Sequence, residues 1–337
     1  PAPWRLSARM VSDNTVVSVE VTLTPPLYES GRRLGVILDG ADSFCDATVE
    51  AWAGDPLRPA RYRLKLEDGS VQTLDLNSAN HCQQRFASMA EYEEVRLELC
   101  QHVREATEQV QDAITNTDMR VADQALHVST SVSEGVKWPD RYPSSVKDLA
   151  PMLLPPVQQG RPQGALAPVC RALVKAGPGA GKTWASIQLT QELASRATSP
   201  EHSSGVRPVP ILCYVQRLAR MLQGSPDDRV LTPTLILQYV VVVFPSRPKW
   251  WALVAQAIEM CALQLVLDGI DESAGRRAAF SRLARFGLFS IAIPVVITSR
   301  PEGVDASKFE RSFTVLTLEP LSPEETRLAV ESLLKDS

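Results

Sequence analysis

The sequence predicts a mixed α/β chain. A parallel sheet flanked by helices fills the C-terminal half, preceded by a small antiparallel β-barrel and an amphipathic helix. Three observations lead there. In the first quarter, apolar and polar residues alternate in short runs, the period of a half-buried strand. Between Gly69 and Gly135 there is neither glycine nor proline, and apolar residues recur at helical spacing. From about residue 166 onward, apolar strand-like runs alternate with helical runs, as a parallel sheet with crossover helices requires.

In the N-terminal block, Val17, Val19, Val21 and Leu23 alternate with Ser18, Glu20 and Thr22, and Pro25-Pro26 ends the run. Leu34–Leu38 and Ala47–Ala53 are further strand candidates. Arg61–Leu66 alternates again, Asp68-Gly69 signals a tight turn, and Val71–Leu76 returns. Several short strands in so little chain predict a small antiparallel barrel over residues 14–80. The run from Gly35 through Asp46-Ala47-Thr48-Val49, Arg61-Tyr62-Arg63-Leu64 and Asp68-Gly69-Ser70 to Leu74-Asp75-Leu76 resembles the Tudor-like small barrels. That likeness implies a peptide-binding aromatic cage, for which Phe44, Trp52 and Tyr62 are the candidates, although three such aromatics also suffice simply to fill a barrel core.

From about Gln83 to Val128 the pattern is helical, within a segment bounded at 81–134. Val95, Leu99, Val103, Ala106, Val110, Ala113 and Thr117 form a seam with Glu and Arg between them. A helix packed on its own chain is the simpler reading of so thin a seam, and an oligomerising coiled coil the alternative. Prolines then crowd together at 139, 143, 151, 155, 156, 162 and 168, which predicts a linker over 135–165.

The chemistry lies in the block 166–337. An apolar run, Ala172-Leu173-Val174, leads into Ala176-Gly177-Pro178-Gly179-Ala180-Gly181-Lys182-Thr183, and a helical run follows at Trp184–Ala194. Strand, glycine loop and helix is the context of a phosphate-binding loop. Glycines let successive N–H groups curl inward onto phosphate oxygens, and the helix N-terminus adds partial positive charge. Lys182 can reach the outer phosphates and the Thr183 hydroxyl can hold Mg²⁺. Ala176 stands where the usual pattern has glycine, and its small side chain suits the turn.

Leu263–Leu267 reads as a buried strand running into Asp268-Gly269-Ile270-Asp271-Glu272. A carboxylate at the C-terminal end of a parallel strand beside such a loop is where a Mg²⁺-organising group belongs, which assigns Asp268. Asp271 or Glu272 can polarise an attacking water as a general base. Pro294–Ile297 is the next strand and ends in Thr298-Ser299-Arg300-Pro301, which sets Arg300 to face a terminal phosphate. Pro210–Val215 reads as a further strand. Pro233–Phe244 and Pro248–Cys261 read as helices despite the β-branched run Val240–Val243, with Ser199–Pro210 as a loop.

Gly177–Thr183, Leu267-Asp268-Gly269-Ile270-Asp271-Glu272 and Thr298-Ser299-Arg300-Pro301 together resemble the NACHT family, within the STAND class of signal-transducing P-loop NTPases. The tail Leu316-Thr317-Leu318-Glu319-Pro320-Leu321-Ser322-Pro323-Glu324-Glu325 looks like the family's strand followed by a Ser-capped helix. The resemblance covers about half the chain. It implies ATP or ADP with Mg²⁺ as ligands, Lys182 and Thr183 on phosphate and metal, Asp268 organising Mg²⁺, Asp271 and Glu272 serving slow hydrolysis, and Arg300 sensing the nucleotide. It further implies a switch that controls self-association or a signalling partner. The family's winged-helix segment and a sensing repeat array are not seen in this sequence, and because it begins at Pro1 and stops soon after Pro320, it is expected to be a piece truncated at its C-terminus.

Composition bounds these readings. The 337 residues carry 35 Lys plus Arg against 39 Asp plus Glu, a net charge of −4, which argues against non-specific wrapping of nucleic acid. No apolar run approaches the roughly 18–20 residues a membrane span needs. Six cysteines without a Cys-x-x-Cys pair, and four scattered histidines, predict free thiols in a reducing, cytoplasmic setting rather than disulfides or zinc. Two other readings remain open: an ordinary P-loop ATPase or kinase, although no basic lid or acceptor site is legible, and a peptide-binding barrel with an accessory NTPase domain.

Overall fold

The computed structural model describes residues 4–12, 15–23, 28–38, 41, 44–53, 61–76, 81–111, 118–120, 128–130, 145–153, 171–199, 207–222, 234–273, 275, 277–282, 293–310, 312–320, 323, 324 and 327. The chain divides into two compact units, Pro1–Met89 and Ala90–Ser337.

In the first unit, β1 (Trp4–Ser12) and β2 (Thr15–Leu23) form an antiparallel hairpin. The strands β3 (Arg33–Val36), β4 (Cys45–Trp52), β5 (Arg61–Leu66), β6 (Val71–Asp75) and β7 (His81–Gln83) form an antiparallel sheet in the order β6-β5-β4-β3-β7. Period two is visible in β5, where Tyr62, Leu64 and Leu66 are buried and Arg63 and Lys65 are exposed. With Leu34, Val36, Ala47 and Val49 they make this unit's core. The β5–β6 turn follows from its residues: Gly69 adopts φ +83°, and the Asp68 carboxylate accepts from both the Ser70 N–H and hydroxyl. Tyr62 is 1% exposed and belongs to the core, so the expected trio of cage aromatics does not stand open together. β1 and β7 lie outside the strands read from the sequence.

The second unit opens with α1 (Met89–Glu108), followed by the short strands β8 (Gln109–Gln111), β9 (Asp118–Arg120) and β10 (Val128–Thr130). The helix expected to reach Val128 therefore ends twenty residues sooner. Val110 sits in a strand, and Ala113 and Thr117 lie outside the described residues. The buried face of α1 is Tyr92, Val95, Arg96, Leu99, Cys100 and Thr107. Arg96, fully buried, donates to the carbonyls of Ala197 (2.9 Å) and Pro208 (3.2 Å) and to the Glu93 carboxylate (2.7 Å). These contacts pin α1 to its own unit.

After α1 come α2 (Leu149–Met152), β11 (Arg171–Lys175), α3 (Lys182–Thr198), β12 (Val209–Tyr214), α4 (Val215–Met221), α5 (Thr234–Val243), α6 (Pro248–Glu259), β13 (Leu263–Asp268), α7 (Arg277–Arg282), β14 (Val295–Ser299) and β15 (Thr314–Leu318). The segment read as a linker is not one throughout. Within it, α2 forms a single turn in which Pro151 is tolerated near the helix start. Val146, Leu149, Ala150 and Leu153 are buried with Ala172, Val174, Leu189 and Leu316. The rest of that stretch, 131–144 and 154–170, lies outside the described residues, as does 200–206 of the expected loop. The Val240–Val243 run is helical, because Leu235, Ile236, Tyr239 and Val240 bury one face.

The large sheet has the order β10-β15-β11-β14-β13-β12. Five strands are parallel, and β10 adds antiparallel to β15. β13 and β14 are buried at every residue, the mark of a sheet covered on both faces. From the central β11, α3 leads to the far edge strand β12, while β15 closes the other side. Crossovers thus diverge around β11. In open α/β sheets the ligand crevice lies at such a divergence, off the carboxyl ends of the strands.

Candidate functional site

Three of those carboxyl ends meet. β11 runs into the glycine loop 176–181, whose turn is closed by the Ala180 N–H donating to Gly177 O at 3.2 Å. The Ala176 N–H is tied to Ser299 O at 2.9 Å, which holds the loop against the end of β14. Gly179 (φ +72°) and Gly181 (φ +84°) take left-handed conformations that a side chain would strain. Gly181 is also the N-cap of α3, and having no side chain it makes no cap bond, so it leaves the first-turn N–H groups for another acceptor.

Asp268, at the end of β13, is 4% exposed and held by hydroxyls. Thr183 donates to its Oδ2 at 3.0 Å, and Ser186 (2.8 Å) and Thr298 (2.6 Å) donate to its Oδ1. The chain then turns through Gly269, at φ +76°, into a 3-10 turn over Ile270–Glu272. This turn carries Asp271 and Glu272 to Lys182, whose Nζ lies 3.0 and 3.2 Å from the two Asp271 oxygens and 2.8 Å from Glu272 Oε1. Asp271 also accepts from the Arg300 N–H at 3.1 Å, and the Arg300 Nε lies 3.4 Å from it. The Arg300 side chain is 54% exposed, against 10% for Lys182 and 7% for Asp271.

The electrostatics follow from that packing. Burial alone would raise the Asp271 carboxyl, but the Lys182 ammonium and the Arg300 N–H outweigh it and hold the group below its ordinary 3.8. Burial would lower Lys182, and its bonds to Glu272 and Asp271 turn the balance so that it titrates above its ordinary 10.5. Burial, and then the Asp268 charge, raise the Tyr214 phenol at the end of neighbouring β12.

The residues singled out for nucleotide and metal come together at these strand ends: the loop 176–181, Lys182 and Thr183 from the β11 side, Asp268, Asp271 and Glu272 from β13, and Arg300 from β14, whereas the cage candidates Phe44, Trp52 and Tyr62 belong to the first unit. Three further residues belong with them. Thr298 was legible within the Thr298–Pro301 run. Ser186 lies one helical turn beyond Thr183 and so on the same face. Gly303, buried against Asp271, has no signal in the sequence pattern: a Cβ there would lie 2.3 Å from Asp271 Cβ and 2.5 Å from Ser299 Oγ.

No cluster of three or more His, Cys, Asp or Glu side chains among the described residues is arranged to hold a metal. The Thr183 hydroxyl and Asp268 carboxylate nevertheless fit Mg²⁺, which takes one or two protein oxygens and fills its other positions with water and phosphate. Among the described residues no helix is long and apolar enough to cross a membrane, and the five described cysteines (Cys45, Cys82, Cys100, Cys213, Cys261) are free thiols. No family model matches this chain, and no curated protein matches it.

Proposed function

We propose that the C-terminal unit is a P-loop NTPase of NACHT type, binding ATP and ADP with Mg²⁺, hydrolysing ATP slowly, and acting as a switch that controls assembly of a signalling complex in the cytoplasm. One observation carries this reading. A lysine and a threonine at the start of α3 meet three carboxylates from the end of β13 and an arginine from the end of β14, off the divergence of the sheet.

Each group has a part. The loop N–H groups and the open N-terminus of α3 would take phosphate oxygens. Lys182 would exchange its carboxylate partners for phosphate. The Thr183 hydroxyl already gives its proton to Asp268, which leaves its lone pairs for the metal. Thr183 and Asp268 would hold a Mg²⁺ ion, which would supply positive charge against the charge that develops on phosphate. Glu272, once free of Lys182, would orient the attacking water. Arg300, mostly exposed, would read the terminal phosphate. The antiparallel sheet of the N-terminal unit supports reading it as a Tudor-like barrel, a module for partner proteins.

The test is equilibrium nucleotide binding and turnover of wild type beside Lys182→Ala, with sizing in ADP and in a non-hydrolysable ATP analogue. Binding lost in the variant, slow turnover and a larger species in the ATP analogue are expected. Fast turnover with no change in size would instead favour an ordinary ATPase.

A further inference from the structure

We infer that Ser186 and Thr298 are positioning residues for a metal-organising Asp268: together they grip one carboxylate oxygen and so reserve the other for the cation. The inference rests on the nucleotide reading above and deepens it.

The proton positions follow from hydrogen-bond inventory. The Thr298 hydroxyl accepts from the Gly269 N–H at 3.0 Å, so its own proton is free to point at Asp268 Oδ1, 2.6 Å away. Ser186 has two acceptors within reach, the Lys182 carbonyl one turn back at 3.2 Å and Asp268 Oδ1 at 2.8 Å. A single hydroxyl proton goes to the nearer and charged acceptor. Oδ1 is thereby occupied by two donors. Among the described residues Oδ2 receives only Thr183, the residue whose lone pairs would face the metal. The carboxylate is fixed in rotation, with Oδ2 toward Thr183.

The arrangement is also selective in where it places cost. Ser186, Asp268 and Thr298 are all nearly sealed from solvent, at 1%, 4% and 1% exposed. Neither hydroxyl can be exchanged for water without opening the core. Asp268 has hydroxyl donors where a buried carboxylate commonly has a cationic partner, and a divalent ion at Oδ2 would supply that charge. Removing either hydroxyl loosens the aim of Oδ2 and leaves the loop N–H groups and Lys182 as they are.

The experiment is a Mg²⁺ titration of a fluorescent ATP analogue bound to the whole chain, beside binding of the analogue in EDTA. It is run on wild type, Ser186→Ala, Thr298→Val, Thr298→Ser and Lys182→Ala. Partners behind a metal ligand typically shift metal affinity by about 10–100-fold, so Ser186→Ala and Thr298→Val should raise the Mg²⁺ midpoint by at least about tenfold. Their affinity in EDTA should stay at the wild-type value, and Thr298→Ser should restore the midpoint. Thr298→Val also orphans the Gly269 N–H and can unfold the chain. Ser186→Ala improves helix propensity and carries the test alone. An unchanged midpoint in Ser186→Ala, with nucleotide binding intact in wild type and lost in Lys182→Ala, overturns this inference only. An equal loss with and without Mg²⁺ overturns it as well, since that is a general structural effect. Wild type that binds no nucleotide overturns the functional reading and this inference with it.

Discussion

Gly303→Ala is a one-carbon change whose cost can be worked from distances. The added Cβ would lie 2.3 Å from Asp271 Cβ, 2.5 Å from Ser299 Oγ and 3.2 Å from Asp271 Cα. Comfortable carbon contacts are about 3.5–4.0 Å, so the shortfall exceeds about 1 Å. Because one neighbour is backbone, no side-chain rotation relieves it, and either the 301–303 turn or the 270–272 turn must move. Overpacking of this kind costs about 1–3 kcal/mol. Gly303 is absent from the positive-φ glycines, so alanine is not strained there by its backbone. Its smaller unfolded-state entropy returns about 0.4–1 kcal/mol, and the clash still wins. The same shift carries Asp271 out of hydrogen-bonding range of Lys182, now 3.0 Å away, and of the Arg300 N–H, now 3.1 Å away. Urea unfolding should show a net loss of about 1–2 kcal/mol, and binding of an ATP analogue should change in parallel. Gly177→Ala, where a Cβ meets nothing within 4 Å, is the control: the entropy gain is unopposed there, so it should unfold at or slightly above the wild-type midpoint. Gly303→Ala as stable as wild type would refute the reasoning.

Three further outcomes are expected. Arg96→Met removes the donor to two buried carbonyls and to Glu93, and should destabilise by about 3–5 kcal/mol in urea, whereas a loss below about 1 kcal/mol would mean that water replaces the guanidinium. Leu149→Ala should cost about 2–5 kcal/mol in thermal unfolding if α2 is core, and nothing measurable if it is linker. The Lys182–Asp271 pair contributes fully above the ordinary Asp value of 3.8 and below the ordinary Lys value of 10.5. It is lost as pH falls through the depressed carboxyl or rises through the raised ammonium, so the stability gap between wild type and Lys182→Met should be flat from about pH 5 to about pH 10 and shrink at both ends. A gap that climbs steadily across that window would contradict the pairing.

The crevice was more legible in the sequence than the framework around it. Gly177–Thr183, Asp268–Glu272 and Thr298–Pro301 each follow a strongly apolar strand, and a parallel sheet brings the ends of its strands to one side whatever their separation in sequence. Tyr62, Leu64 and Leu66 were readable for the same reason, since period two maps directly onto a buried face. Val110 was misread because a seam at steps of three and four continues on paper past the point where the helix stops at Glu108. Neither glycine nor proline marks that end. Leu149 and Leu153 were hidden among prolines, whose local veto on long helices says nothing about burial of a single turn. Gly303 has no signature in the sequence, because its role is set by a neighbour across a turn.

The pairing of β11 has a consequence for how the chain is made. This strand, which leads into the glycine loop, lies between β14 and β15, so its hydrogen-bonding partners begin at Val295 and Thr314. β10 likewise waits for β15. At about 5–20 residues per second, a ribosome leaves Arg171–Lys175 without sheet partners for on the order of ten seconds after it emerges. During that interval an apolar strand has both edges open, the condition that favours mispairing. Among the described strands of this sheet, only β12 and β13, which are neighbours, can zip earlier. The centre of the sheet, from which the glycine loop leaves, is therefore built only after the β12–β13 pair, and the β15 edge with β10 closes last.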